Sequence, residues 1–122
     1  MARSFQVLSV GYDRSLMKSR SLLLRNVGYV VTEAYSRHQA LAQVRANSVD
    51  VMLICHTVPE AEKRALLSAV RKQRLLVSIL CISGSDFLFS SGEGFTVVSN
   101  APAELLAAID AAVKEAPGRP GA

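Results

Sequence analysis

Asp50-Val51-Met52-Leu53-Ile54-Cys55-His56-Thr57-Val58-Pro59 is the stretch whose reading decides the fold. Val51 to Cys55 is an unbroken apolar run, and Pro59 stops the chain soon after it. A run without alternation has no wet face, so it suits a strand covered by helices on both sides, the setting of a parallel sheet. Upstream, Phe5 to Val10 reads as a short strand stopped by Gly11. Leu16, Leu23, Leu24 and Val27 then recur at helical spacing, and Gly28 closes that helix. Tyr29 to Ala34 has the β-branched enrichment of a strand, and Ser36 to Gln39 the spacing of a capping box opening a helix through Ala40, Leu41 and Val44. Downstream of Pro59, Ala61, Ala65, Leu66, Ala69 and Val70 mark a third helix. Leu75 to Ile82 and Phe95 to Val98 are expected as the last two strands. Pro102 opens a final helix with Leu105, Leu106, Ile109, Ala112 and Val113 on its inner side.

Strands alternating with helices imply a three-layer α/β domain built on a parallel sheet. The pattern alone leaves the strand order open. The length of 122 residues suits one domain with a real core. Apolar residues make up 50% of the chain and charged residues 20%, an ordinary globular profile. The first residues lack a secretory pattern, no segment is long and apolar enough to span a bilayer, and two cysteines are too few for a disulfide framework. A cytoplasmic, reducing location is the expectation.

The net charge of +4 comes from the first half: residues 1–50 carry seven Arg or Lys against three acids, and residues 51–122 seven against seven. Arg14, Lys18, Arg20 and Arg25 fall on one helix, Arg37 and Arg45 on the next. A nucleic-acid surface is disfavoured, because aromatic interleaving and a DNA-binding motif are missing. The preferred reading is two solvated helix faces.

The joint spacing resembles the receiver domain of two-component response regulators. Val7 to Val10 is similar to that family's first strand, Gly28-Tyr29 to the opening of its second, and Ala40-Leu41 to a pair in its second helix. Asp50 to Pro59 is similar to its aspartate-terminated third strand and following proline. Gly92 to Phe95 and Ala103 to Leu106 resemble the entry to its fifth strand and its last helix. The resemblance implies a flavodoxin-like fold, a five-stranded parallel sheet of order 2-1-3-4-5, over residues 1–116, with 117–122 expected as a disordered tail. Between Ser83 and Gly92 the chain is shorter than the family's segment by about seven residues, nearly two helical turns. The fourth helix is therefore expected to be shortened or missing, replaced by a loop carrying Phe87, Leu88 and Phe89. Phe87 and Phe89 are expected either to cover the gap or to serve as an interaction point.

A receiver transfers a phosphoryl group to an aspartate with Mg²⁺ held by that aspartate and an acidic pair. In this chain the acceptor position falls on Cys55 and the acidic pair on Gly11 and Tyr12, with Asp13 one step further on. Mg²⁺ wants oxygen ligands in tight geometry, which a thiol and a glycine cannot supply. The switch positions match Ser83, a retained hydroxyl, and Ser99, where the family has lysine. The resemblance so read implies a degenerate receiver, with no catalytic residue, metal or cofactor. Its role is phosphorylation-independent docking to another signalling protein or to a second copy of itself. Tyr12 is expected to fill part of the former site.

Two rivals stand beside that reading. One is a phosphorelay receiver still phosphorylated through Asp13 or an unusual acceptor. The other is a thiol redox sensor at Cys55, with Cys81 near the end of the neighbouring strand. Two buried thiols acting as small hydrophobes are preferred to a redox pair. His56 could activate Cys55 as a base, but adjacent residues point to opposite faces if both lie within regular strand, which argues against contact there. His38 reads as a solvated helix residue, and the histidines and cysteines lack metal-site spacing.

Overall fold

The computed structural model describes residues 5–46, 49–73, 77–82, 95–99 and 101–114. Its elements run β1 (Gln6–Val10), α1 (Arg14–Asn26), β2 (Val30–Ala34), α2 (Arg37–Ala46), β3 (Val51–Ile54), α3 (Glu60–Lys72), β4 (Ser78–Ile82), β5 (Thr96–Val98) and α4 (Pro102–Lys114). All strand pairs are parallel, in the order β2-β1-β3-β4-β5. The expected fold class and strand order are therefore found. Residues 83–94, where the shortened helix and Phe87 and Phe89 were expected, lie outside the described residues, as does the tail.

β3 is the centre of the domain. All of its side chains are buried, and they divide between two cores as a strand's alternation requires. Met52 and Ile54 pack with Ala40 and Val44 of α2 and Leu66 and Val70 of α3. Val51 and Leu53 pack on the opposite face with Leu24 of α1 and Leu105, Ile109 and Val113 of α4. Each such side chain contributes about 1.5–3 kcal/mol when fully buried, so this strand has no tolerance for a polar slip.

Local signals set the helix ends. Asp13 caps α1, its side chain accepting from the Leu16 amide at 3.0 Å. At the other end Gly28 adopts φ 99°, which lets its N–H reach the Arg25 carbonyl and the Tyr29 N–H reach that of Leu24. This is a Schellman closure, and glycine is there because the left-handed backbone strains any residue with a Cβ. Ser36 accepts from the Gln39 amide as expected, but Gln39 reaches back to the Tyr35 amide, one residue short of the reciprocal partner in a capping box.

The inner face of α1 is rotated from the expected one. Met17, Arg20, Ser21 and Leu24 are buried, Leu16 and Leu23 are half-buried, and Val27 is exposed. A charged residue therefore lies on the buried stripe.

Candidate functional site: a sulfur-filled pocket at the carboxyl edge of the sheet

In an open parallel sheet the binding crevice lies beyond the carboxyl ends of the strands, where the order reverses. Here that point falls between β1 and β3, and it gathers Gly11, Tyr12 and Asp13 after β1 with Cys55, His56 and Thr57 after β3. Cys55 is tied to the end of β1 by its amide, which donates to the Val10 carbonyl at 2.8 Å.

The space of the expected acidic pair is taken. A Cβ at Gly11 would come within 2.8 Å of Met17 Sδ and 2.9 Å of Cys55 Cβ, distances at which something must move. Met17 is wholly buried and accepts from the Ser9 hydroxyl at 3.4 Å. Tyr12, expected to fill part of the pocket, is largely open to solvent. It is 42% exposed. Met17 takes that space from α1. Asp13 is committed to its capping bond and faces solvent.

Arg20 is only 6% exposed, and its Nη1 donates to Cys55 Sγ at 3.3 Å. This corrects the reading of Arg20 as part of a solvated face. A signal for it exists in the sequence: position 20 lies three after Met17 and four before Leu24, on one stripe of the helix. The Thr57 hydroxyl also donates to Cys55 Sγ at 3.3 Å. Burial pushes the Cys55 thiol up, but the Thr57 hydroxyl and amide and the Arg20 guanidinium together outweigh it, and the thiol lies below its ordinary value. His56 Nδ1 comes within 3.9 Å of the sulfur. Divergence follows only within regular strand, and β3 stops at Ile54, so neither residue is bound by strand alternation.

Cys81, in β4, lies beside this arrangement. Burial pushes its thiol up to about 11, with the charge of Lys63 pulling slightly the other way. Ser99 accepts from the Ala101 amide at 3.0 Å and so shapes the turn into α4. Ser83 lies outside the described residues. Hydrogen bonds from the Ser21 and Tyr35 hydroxyls lower the Glu33 carboxyl of β2 from its ordinary value and commit it to the α1–β2 flank.

The donors of this pocket do not fit Mg²⁺. Sulfur is a soft ligand, the nearby carboxylate is a helix cap, and a guanidinium occupies the ground a cation would need. Among the described residues no group of three or more His, Cys, Asp or Glu side chains could hold a metal ion. No helix among them is long and apolar enough to cross a membrane.

The chain is similar to the signal receiver domain of an HD domain-containing protein from Pseudomonas fluorescens Pf-5. That likeness has a TM-score of 0.79 and 21% identity, covering 93% of this chain and 97% of that one. It is similar to a CheY-like response regulator receiver domain protein from Methanospirillum hungatei JF-1 (TM-score 0.77, 22% identity, 93% and 96% covered). A Francisella response regulator receiver domain gives TM-score 0.77 at 21% identity, with 92% and 98% covered. The fold is that of receiver domains. No family model and no curated protein sequence matches the chain.

Proposed function

We propose that the chain is a degenerate receiver of bacterial-type signal transduction, a docking module that works without phosphorylation and is not an enzyme. The observation that carries this reading is the filled pocket. Met17 and Cys55 stand where a side chain at position 11 would begin, and Arg20 supplies an internal cation beside the acceptor position. Phosphoryl transfer depends on positioned charge around the transferring group. Here a metal site, an acceptor carboxylate and the reporting lysine are replaced by sulfur, a guanidinium and a turn-forming serine. Receiver domains act by contacting other signalling proteins, and docking is the part of that role the fold retains. A cytoplasmic place goes with this reading.

The test is intact mass after incubation with Mg²⁺ and a small phosphodonor. No added phosphate is expected, and sedimentation should show the same association state with and without donor. A phosphate on Asp13 or any other residue would restore the phosphorelay reading. A stricter form puts the acceptor back: Cys55→Asp sets a carboxylate against Arg20 and is still expected to take no phosphate, since position 11 remains closed. Phosphorylation of that variant would show the pocket to be open after all.

A further inference from the structure

We infer that the outer edge of β2 is a docking groove for an extended acidic segment of a partner protein, which pairs with that edge as a sixth strand. This rests on the docking reading and gives it a surface and a class of partner. β2 ends the five-stranded sheet on one side, and among the described residues no strand pairs beyond it. In a parallel ladder the N–H and C=O of one residue point to the same side, and successive residues alternate. The Val30 amide donates to the Phe5 carbonyl at 2.9 Å, and the Gly11 amide donates to the Ala34 carbonyl at 3.1 Å. Val30, Thr32 and Ala34 therefore face β1, and Val31 and Glu33 turn their backbone groups to the open side. Arg25 bears this out, its Nη2 donating from the flank to the Val31 carbonyl at 3.0 Å. That oxygen has a second lone pair for an incoming N–H. An open edge of this kind is a template for a further strand.

Charge names the occupant. Arg14, Lys18 and Arg25 of α1 are exposed, and all three stand over β2. Arg14 lies 4.2 Å from the centroid of the Tyr35 ring, the charges of Lys18 and Arg25 act on the Glu33 carboxylate, and Arg25 reaches Val31. They run along the helix for about 17 Å, beside about 13 Å of strand from 31 to 35. None of them forms an ion pair among the described residues. Glu33, the acid between them, has its oxygens committed to the Ser21 and Tyr35 hydroxyls. The other face of the edge differs. There Val30 is 42% exposed and Thr32 half-buried, and Arg37 of α2 turns to Glu62 of α3 at 3.5 Å. An added strand sends alternate side chains to the two faces. The segment that fits therefore alternates acidic residues, toward α1, with apolar ones, toward Val30. A second copy fits poorly, because β2 paired antiparallel with itself sets the same cations of two α1 helices side by side. Nucleic acid would leave the edge amides unpaired and Val30 uncovered. The plain alternative is that Arg25 only guards the edge against association, and a guarded edge takes no strand.

The full-length chain is titrated with a fluorescent peptide of about six residues that alternates glutamate and valine. Binding is read by anisotropy, and amide exchange by NMR. Saturable binding that weakens with salt is expected, with the Val31 and Glu33 amides exchanging more slowly in the complex. Lys18→Glu should weaken binding about tenfold, while Lys72→Glu, the same change of charge on α3, should leave it unaltered. The same peptide N-methylated at every residue keeps its side chains, loses its pairing donors and should bind about tenfold more weakly. No binding of the alternating peptide overturns the inference, as does equal binding of its lysine–valine counterpart or of the N-methylated form. Single-stranded DNA that binds more tightly than the peptide and is lost with Lys18→Glu would assign the flank to nucleic acid instead. A dimer in sedimentation that the peptide disperses would assign the edge to a second copy. Each of these leaves the docking reading standing, and a phosphate adduct, which would sink that reading, leaves the peptide measurements as they are.

Discussion

Cys55 and Cys81 are the same side chain near the ends of neighbouring strands, each 1% exposed, yet they ionise in opposite senses. Burial raises both thiols. At Cys55 the Thr57 hydroxyl and amide and the Arg20 guanidinium reverse it; at Cys81 the charge of Lys63 offsets only part of it. Depth in the fold therefore does not determine what a buried group can do. The donors aimed at it do, and those arrive from a helix and a turn distant in sequence.

The comparison can be broken most forcefully at Arg20. Arg20→Ala removes the buried donor and leaves the sulfur in the same apolar place, and a loss of about 1–3 kcal/mol in urea unfolding is expected. Ultraviolet titration of Cys55 should move toward that of Cys81 in a variant that folds. A loss below about 1 kcal/mol would show the contact to be incidental.

Alkaline unfolding separates the two thiols next. The Cys81 value of about 11 lies above its ordinary 9.0, so its contribution is complete below pH 9 and lost as pH rises toward 11. About 2–3 kcal/mol should disappear over that window, and Cys81→Ala should flatten the decline. Cys55, shifted down, contributes in the opposite sense. Its share is present above pH 9 and fades as pH falls through the folded value.

The packing beneath Cys55 is probed by Gly11→Ala. The added Cβ meets Met17 Sδ and Cys55 Cβ, and overpacking of this kind costs about 1–3 kcal/mol. Combined with Met17→Ala, the loss should fall short of the sum of the single variants, a coupling that thermal or urea unfolding can read. The smallest effect belongs to Asp13. Asp13→Ala deletes the α1 cap and should cost about 1 kcal/mol, with Asp13→Ser recovering most of it. A larger loss would mean that Asp13 does more at this site than cap a helix.

Much of the fold was legible because its signals are local. The apolar run at β3 and the glycine after α1 each name an element or its end by residue type and spacing alone. Boundaries drifted by one residue at β1, β2, β3 and β5, where a β-former just outside the paired strand resembles one inside it. The expected start of β4 at Leu75 lies outside the described residues, and the strand found is Ser78–Ile82. The strand order came from family resemblance, since a βα alternation is compatible with several arrangements.

The candidate site was legible only as an absence. That Gly11, Tyr12 and Cys55 stand where a receiver would carry carboxylates is what the family resemblance implies. What fills that space does not follow from it. Tyr12 was the natural candidate to fill the space by size, yet Met17 fills it, because α1 presents Met17, Arg20, Ser21 and Leu24 inward rather than its Leu16 and Leu23 side. An arginine on a buried stripe is read as surface by any hydrophobic count, since the sulfur that accepts its hydrogen bond lies 35 positions away.

The order of residues by itself determined that this chain builds a parallel α/β domain and that a glycine, a tyrosine and a cysteine stand at positions 11, 12 and 55. Both are matters of residue type and short-range period, which no packing can alter. Only the tertiary structure decided that Arg20 turns inward and that a thioether closes the pocket. Those outcomes depend on how helix α1 is rotated against the sheet and where β3 stops pairing, and the contacts that settle them join residues far apart in the chain.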